Sequence, residues 1–262
     1  MEQKEVLLKI DGHTAEITLN RPGKLNALNP GMLSLLEKYV REIDENRDIR
    51  AVLIKAEGAP RAFCAGADIT AWAELDPQDM WRIWTRRGHR IFGSIEKLSI
   101  PVVTAVDGIA FGGGLELALA GDIILATSPS RFAFPETCIA AVPGWGGTFR
   151  LAERIGAARA KQMIFTGEPL GAGTAALWGL VNEVCEDAKS LEKRVSDIIG
   201  RIAANAPVSV SCSKQLLQLH DRPRELYGAM EAVAGGFSAM TWDGTEGIKA
   251  FFEKRPPNFI GK

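Results

Sequence analysis

The sequence has few cysteines and almost no net charge, and each shortage excludes a class of protein. The 262 residues include four cysteines, Cys64, Cys138, Cys185 and Cys212, with no CxxC pair and no histidine at metal-ligand spacing. This pattern excludes a disulfide framework and a zinc site, and it indicates reduced thiols in a cytosolic compartment. The formal net charge of −1 argues against a protein that binds nucleic acid through its phosphates.

Long apolar runs are also missing. No stretch approaches the roughly 20 apolar residues that a membrane span requires. The most apolar predicted helix, around 115–120, contains Glu116 and ends at Gly121. The first residues, MEQKE, are charged and resemble neither a signal peptide nor an arginine-rich transit helix. We therefore expect a cytoplasmic protein without a membrane partner.

The remaining composition is that of an ordinary globular protein, with 46% hydrophobic and 24% charged residues. β-rich runs alternate with helical patterns, which predicts βαβ units around a mostly parallel sheet. The predicted strands are an opening hairpin of 5–10 and 14–19, followed by 51–56, 101–106, 122–126 and 181–185. From residue 146 onward the pattern is mainly helical. The chain thus divides into a core of residues 1–190 and a helical region of residues 191–262.

Two loops rich in small residues follow predicted strands. Residues 65–67 (AGA) precede Asp68, which has the position of a helix N-cap. Residues 112–114 (GGG) open the apolar helix that carries Glu116 in its first turn. Glycines at such a turn let the free N–H groups of the helix start approach a ligand closely. Tight helix packing, with Glu116 as a cap of its own helix, is the alternative interpretation.

A second carboxylate, Glu136, ends the proline-broken stretch FAFPE at 132–136. Taken alone, it has the character of a solvated loop residue. The glycines at 112–114 do not have GxGxxG spacing, so a dinucleotide site is not predicted. There is no GxSxG, and Ser211 and Lys214 form an SxxK pattern only within a helical stretch outside the core. A serine hydrolase is therefore not predicted either.

Several segments taken together point to a protein family more specifically than any one of them alone. They are NRP at 20–22, RAFCAGADI at 61–69, DGIAFGGGLELALAGD at 107–122, FAFPETCIAAVPGWGGTFRL at 132–151 and FEKR at 252–255. In this order they resemble the crotonase (enoyl-CoA hydratase/isomerase) superfamily over essentially the whole chain. The resemblance implies an α/β fold of the ClpP/crotonase type, built from repeated ββα units with a C-terminal helical trimerisation region.

The resemblance also implies a chemistry. Crotonase-like proteins stabilise a thioester enolate with two backbone N–H groups, which match Ala67 and Gly113 here. In the hydratase branch two glutamates hold one water, and these match Glu116 and Glu136. We therefore expect an enoyl-CoA hydratase that adds water syn across a 2-enoyl thioester. The sequence does not say which glutamate is the acid.

Further expectations come from the same resemblance. Coenzyme A is part of the substrate, so no separate cofactor and no metal is expected. The residues expected to contact it are Lys24, Ala65, Gly66, Asp68, Ile69 and Thr70, with Phe252 and Lys254 reaching a neighbouring subunit. The implied assembly is a homotrimer or a dimer of trimers.

Two tryptophans are expected in the acyl pocket, Trp72 and Trp145. Trp145 and Phe149 stand where typical hydratases have a small residue and a glutamine. We interpret this as a pocket tuned to an acyl group other than a short crotonyl chain. The alternative is that these aromatic residues are ordinary core anchors.

Other functions on the same scaffold stay open. An isomerase, a dehydratase or lyase, and a hydrolase share the fold and the two N–H donors. Glutamates at both positions favour the hydratase over these branches. A non-catalytic homologue that binds RNA or coenzyme A is less favoured, because the net charge is near zero and both glutamates are present.

Overall fold

Two β-sheets organise the computed structural model, which describes residues 4–58, 62–73, 75–219 and 224–262. The larger sheet contains the strands β1 Val6–Asp11, β2 Thr14–Leu19, β3 Ala51–Ala56, β5 Val102–Val106, β7 Ile123–Thr127 and β10 Glu183–Cys185. They lie side by side in the order β1-β2-β3-β5-β7-β10. Only β1 runs antiparallel to its neighbour. The predicted hairpin and mostly parallel sheet are confirmed.

The smaller sheet contains the strands β4 Ala62–Cys64, β6 Ile109–Phe111, β8 Arg131–Ala133 and β9 Leu170–Gly171. They lie in the order β4-β6-β8-β9. Strand pairs such as β5–β6 and β7–β8 place one strand in each sheet, which is the repeated ββα unit of the predicted fold. These strands are too short for an alternation of apolar and polar residues to be recognised in the sequence. Of the four, only β8 falls in a stretch with β-like character. Arg61, the first residue of the RAFCAGADI segment, lies outside the described residues.

Helices surround the sheets and make up the C-terminal third. They are α1 Pro30–Asp44, α2 Pro77–Asp79, α3 Arg86–Glu96, α4 Gly113–Leu119, α5 Gly147–Ile155, α6 Ala157–Thr166, α7 Ala172–Trp178, α8 Ala188–Ala204, α9 Pro207–Leu217, α10 Arg224–Ala239 and α11 Trp242–Glu253. Residues Met80–Thr85 form a π-helical segment that joins α2 to α3. Asp68 does cap a helical turn, but that turn is only Ile69–Ala71.

The predicted division between residues 190 and 191 falls inside α8. The apolar face of this helix, with Leu191, Val195 and Ile199, packs on Leu53 and Val103 of the larger sheet. The helix therefore packs against the larger sheet on its buried face. The division of the chain at residue 190 stays a prediction.

The C-terminal segment is tied to the core by specific polar contacts. The guanidinium of Arg50 donates to the Ala203 carbonyl at 3.0 Å and to the Phe259 carbonyl at 2.8 Å. The buried Asp243 carboxylate accepts the backbone N–H groups of Ile260 and Gly261. These contacts fix α11 and the chain end, while many apolar side chains of α10 and α11 stay exposed.

Candidate active site

Among the residues that the structure describes, the N–H of Ala67 has no backbone acceptor. The Leu28 N–H donates to the Gly66 carbonyl, and the Asp68 N–H donates to the Leu28 carbonyl, both at 2.8 Å. In this parallel bridge Leu28 bonds to the residues that flank Ala67. The N–H of Ala67 therefore points away from Leu28, because alternate residues of a strand bond in opposite directions.

The start of α4 lies beside this loop. Gly112 has φ +49° and directs the chain from β6 into the helix, a conformation suited to glycine. Gly113 is the first helical residue, so its N–H has no intrahelical acceptor. A Cβ atom on Gly113 would lie 3.3 Å from the Ala67 nitrogen. The two predicted donors are thus neighbours in space.

Glu116 is held by a loop on the other side of the site. It is 2% exposed, and its Oε1 accepts the backbone N–H groups of Trp145 at 2.6 Å and Gly147 at 2.8 Å. The alternative that Glu116 caps its own helix is therefore not supported. Burial raises the pKa of Glu116 to about 7, although these two hydrogen bonds oppose the shift.

Glu136 reaches the same site from the smaller sheet. The Gly112 N–H donates to the Ala133 carbonyl at the end of β8, which brings the helical turn Pro135–Ile139 next to α4. A Cβ atom on Gly112 would lie 2.7 Å from Glu136 Oε1. Within the described part of the chain, Glu136 Oε2 is buried without a hydrogen-bond partner. It is not the solvated loop acid of the alternative interpretation.

Burial affects both carboxyl groups in the same direction. Burial raises the pKa of Glu136 to about 7 as well. The negative charge of Glu136 adds to the rise in the pKa of Glu116. Two interacting carboxyl groups share their macroscopic titration, so near neutrality the pair can hold one proton between them.

A cavity of about 150 Å³ joins these groups. Glu116 and Glu136 line it together with Ala67 and Gly113. The predicted acyl-pocket residues Trp72 and Trp145 line it as well. Its other described lining residues are Ala65, Gly66, Ile69, Met80, Trp84, Thr85, Gly112, Pro135, Ile139, Ala141, Val142 and Gly144.

The residues predicted to contact coenzyme A divide into two groups. Ala65, Gly66 and Ile69 line the cavity, whereas Asp68 and Thr70 do not. The Asp68 carboxylate accepts from the Thr70 hydroxyl at 2.7 Å and pairs with Arg21 at 2.7 Å. Both contacts lower the pKa of Asp68, and they hold the loop in shape.

Three other predicted residues lie away from the cavity of their own chain. Lys24 is exposed at the end of the helical turn Pro22–Lys24. The carbonyl of the next residue, Leu25, accepts the Ala65 N–H at 3.0 Å. Phe252 and Lys254 lie at the exposed C-terminal end of α11. This position is compatible with a contact to a neighbouring subunit.

Sequence reasoning missed the residue that supports the loop over Glu116. Arg150 is 3% exposed and donates to the Trp145 carbonyl at 2.8 Å and to Glu96 Oε2 at 2.7 Å. A buried arginine with a single carboxylate partner is not recognisable from spacing alone, because Glu96 is 54 residues away. The one sequence feature that pointed to Arg150 was its position one turn into the helix that follows PGWGG.

Neither a metal cluster nor a membrane-spanning helix occurs in the described ranges. No group of three or more histidine, cysteine, aspartate or glutamate side chains there could hold a metal ion. In the same ranges no helix has the length and apolar character needed to cross a membrane.

Comparisons with known proteins agree with this geometry. Residues 9–262 match the family model described as enoyl-CoA hydratase/isomerase. A short-chain-enoyl-CoA hydratase of Clostridium acetobutylicum is 38% identical over 97% of both chains. A crotonyl-CoA hydratase of Syntrophomonas wolfei is 34% identical over the full length of both. The crystal structure of an enoyl-CoA hydratase from Bacillus anthracis, 33% identical, superposes with a TM-score of 0.94 over 98% of this chain and 100% of that one. The chain belongs to the enoyl-CoA hydratase/isomerase family.

Proposed function

We propose that this protein is an enoyl-CoA hydratase, which adds water across the C2–C3 double bond of a 2-enoyl-CoA thioester. One observation carries the proposal. The two glutamates and the two residues with free backbone N–H groups, Ala67 and Gly113, line a single small cavity. The names of the relatives support the same activity.

In this proposal the thioester carbonyl accepts hydrogen bonds from the Ala67 and Gly113 N–H groups. Negative charge builds on this oxygen as water attacks C3 and an enolate forms. Each fixed donor of this kind contributes about 3 kcal/mol to transition-state stabilisation. Gly66, Gly112 and Gly113 keep side chains away from the carbonyl, which explains the small-residue loops.

The glutamates would handle the two protons. One carboxylate removes a proton from water as its oxygen bonds to C3, and the other, protonated carboxyl group delivers a proton to C2. The raised pKa values near 7 allow one protonated and one ionised group at the same pH. In this proposal water and proton add to the same face of the double bond, which is the syn addition that the family resemblance implies.

The rest of the substrate and the assembly complete the proposal. Coenzyme A enters as part of the substrate, along the backbone of residues 65–70, with Lys24 near its phosphates. Phe252 and Lys254 would contact it from a neighbouring subunit in a homotrimer or a dimer of trimers. Exposed apolar side chains on the last two helices support this assembly: Met230, Val233, Phe237, Met240, Trp242, Ile248, Phe251 and Phe252. The four free thiols support a cytoplasmic location.

The test is the loss of enoyl-thioester absorbance with crotonyl-CoA. Wild type is compared with Glu116→Gln, Glu136→Gln and the control Glu153→Gln, which alters an exposed glutamate on α5. We expect kcat to fall about 100- to 10,000-fold in the first two variants and to stay unchanged in the control. Turnover that survives in both glutamate variants would refute the hydratase. Double-bond migration or thioester hydrolysis in place of hydration would assign the isomerase or hydrolase branch.

A further inference from the structure

The buried amide of Asn26 joins three segments of the chain. Asn26 is 1% exposed, and its Oδ1 accepts the backbone N–H of Arg21 at 2.8 Å. Its Nδ2 donates to the Glu57 carbonyl after β3 at 2.9 Å and to the Ala62 carbonyl at the start of β4 at 3.1 Å. Strand β4 leads directly into residues 65–67. The amide therefore fixes the strand from which this loop emerges.

The backbone at Asn26 has a conformation that few residues adopt. Leu25 has φ +50° and Asn26 has φ +56°, so two successive residues lie in the left-handed region. Asparagine enters this region readily, whereas the Cβ atom of a leucine there approaches the following carbonyl oxygen. Such a backbone persists only where its surroundings hold it. Here a reciprocal pair of hydrogen bonds does so, because the Asn26 N–H donates to the Arg21 carbonyl at 3.0 Å while Asn26 Oδ1 accepts the Arg21 N–H.

The two left-handed residues in turn hold the loop that follows β4. The Leu25 carbonyl accepts the Ala65 N–H at 3.0 Å, and the Asn26 carbonyl accepts the Cys64 thiol at 3.1 Å. The directions of both carbonyls depend on the left-handed backbone. Asn26 itself is not among the described residues that line the cavity. It therefore acts on the orientation of the Ala67 N–H only through this loop.

We propose that Asn26 is a positioning residue for the reaction, whose buried amide keeps the Ala67 N–H directed at the thioester carbonyl. The inference rests on the proposed function, because that function assigns the Ala67 N–H to this carbonyl. It also gives a role to the NRP segment at 20–22, since Arg21 supplies both backbone groups that pair with Asn26.

Loss of the amide should affect the reaction more than the binding of the thioester. A displacement of about 1 Å in a positioned group costs about 100-fold in rate. The carbonyl oxygen is more negative in the transition state than in the bound substrate, so a misdirected donor is missed most in the transition state. The loss therefore belongs in kcat, with KM nearly unchanged.

The first measurement compares the steady-state hydration of crotonyl-CoA by wild type, Asn26→Ala, Asn26→Gly and Asn182→Ala. Glycine accepts the left-handed backbone, so Asn26→Gly removes the amide without that conflict and is the variant to rely on if Asn26→Ala does not fold. Asn182 is the matched control. Its Oδ1 accepts the Ile124 N–H at 2.9 Å at the start of β7, and it is not among the described residues that line the cavity.

The second measurement is independent of turnover. Butyryl-CoA with an isotope-labelled thioester carbonyl is bound to each protein, and its carbonyl band is recorded by infrared difference spectroscopy. This saturated thioester has no double bond to hydrate. Hydrogen bonds from fixed donors lower the stretching frequency, because they draw electron density to the oxygen and weaken the C=O bond. The band therefore reports whether the donors are in place.

We expect kcat to fall about 10- to 100-fold in Asn26→Ala and Asn26→Gly, while KM changes less than about threefold. In wild type the carbonyl band should lie below that of free butyryl-CoA, and both Asn26 variants should lose most of this shift. Asn182→Ala should lower the Tm and keep the kcat and the carbonyl band of wild type.

Two results would overturn the inference. One is a folded Asn26 variant that keeps the wild-type kcat and carbonyl band, and the other is a loss that appears in KM alone. Failure of the proposed function has a different signature. A wild type that shifts the band without hydrating crotonyl-CoA would refute the hydratase alone, since the band still measures the effect of Asn26. A wild type that leaves the band unshifted would refute both.

Discussion

The backbone N–H of Trp145 and the carboxylate of Glu116 form a hydrogen bond of 2.6 Å that joins two distant parts of the chain. The carbonyl of the same tryptophan accepts from Arg150, which in turn pairs with Glu96. The peptide groups of Trp145 therefore connect the Arg150–Glu96 ion pair to Glu116 in the cavity. Trp145 anchors Glu116 through its backbone and lines the cavity with its ring.

Arg150 should act as a positioning residue. Replacing it with methionine removes the hydrogen bonds to the buried Trp145 carbonyl and to the partly exposed Glu96 carboxylate. We expect this loss to cost about 1–3 kcal/mol of folding free energy. The positive charge of Arg150 also lowers the pKa of Glu116, so that pKa should rise in Arg150→Met. The part of the pH profile of kcat that depends on ionised glutamate should therefore move to higher pH in Arg150→Met.

The conservative Arg150→Lys variant is the control for this effect. It keeps the charge but loses the forked geometry, so its pH profile should lie near that of wild type while its Tm falls. A profile that is the same in all three proteins would mean that Arg150 has only a structural role.

Gly112 should be essential for activity. A Cβ atom there would lie 2.7 Å from Glu136 Oε1, so Gly112→Ala must displace the carboxylate. A displacement near 1 Å costs about 100-fold in rate, and we expect the loss in kcat. Gly173 lies in α7, where an added Cβ atom would meet nothing within 4 Å, so Gly173→Ala is the control and should keep full activity. Equal kcat values in steady-state assays of the two variants would contradict the prediction.

Stability should fall as the pH rises through the range in which the glutamates ionise. The pKa values of Glu116 and Glu136 are raised from 4.5 to about 7 in the folded protein. The folded state therefore binds more protons than the unfolded state between these values, and its stability declines with pH until both groups are ionised.

Glu116→Gln removes one of these ionisations and keeps an acceptor for the two backbone N–H groups. Its Tm should exceed that of wild type by more at pH 8 than at pH 5, by about 2–4 °C for each kcal/mol removed. Differential scanning calorimetry at the two pH values measures this difference. A Tm difference that is independent of pH would show that the carboxylate is not destabilised by burial.

Cys64 should be inert to thiol reagents in the folded protein. It is fully buried beside the Ala65–Ala67 loop, its Sγ donates to the Asn26 carbonyl, and burial raises the pKa of the thiol to about 12. Only thiolates react rapidly, so Cys138, which is exposed, should be alkylated by iodoacetamide at pH 8 while Cys64 is not. Peptide mass spectrometry with and without denaturant measures both sites. Early labelling of Cys64 in native protein would indicate that the loop opens readily.

Glu116 and Glu136 differ in how far the sequence alone could predict their surroundings. Glu116 stands out as a carboxylate in an apolar helix, and this pattern is readable without a structure. Glu136 has no such local signal, because its burial depends on the contact between Gly112 and the end of β8. Its assignment came from the resemblance of the whole segment to a known family.

The remaining features depend on contacts that a linear pattern does not contain. Backbone donors such as the N–H of Trp145 have no side-chain signature, so the anchoring of Glu116 could not be predicted. The restricted space around the indole ring depends on Gly88, which is 57 residues earlier in the chain and looks like an ordinary helical glycine. The packing of α8 could not be predicted for a related reason, since a helical pattern does not reveal which sheet the helix covers.

The unequal anchoring of the two carboxylates has an evolutionary consequence. Truncation of the Glu116 side chain would leave the Trp145 and Gly147 N–H groups buried without an acceptor, which a folded protein tolerates poorly. Among the described residues, no N–H group relies on Glu136 Oε2 as its acceptor. The side chain at position 136 can therefore change during evolution, and new reactions can arise, without damage to the fold. Position 116 is constrained by folding independently of any selection for activity.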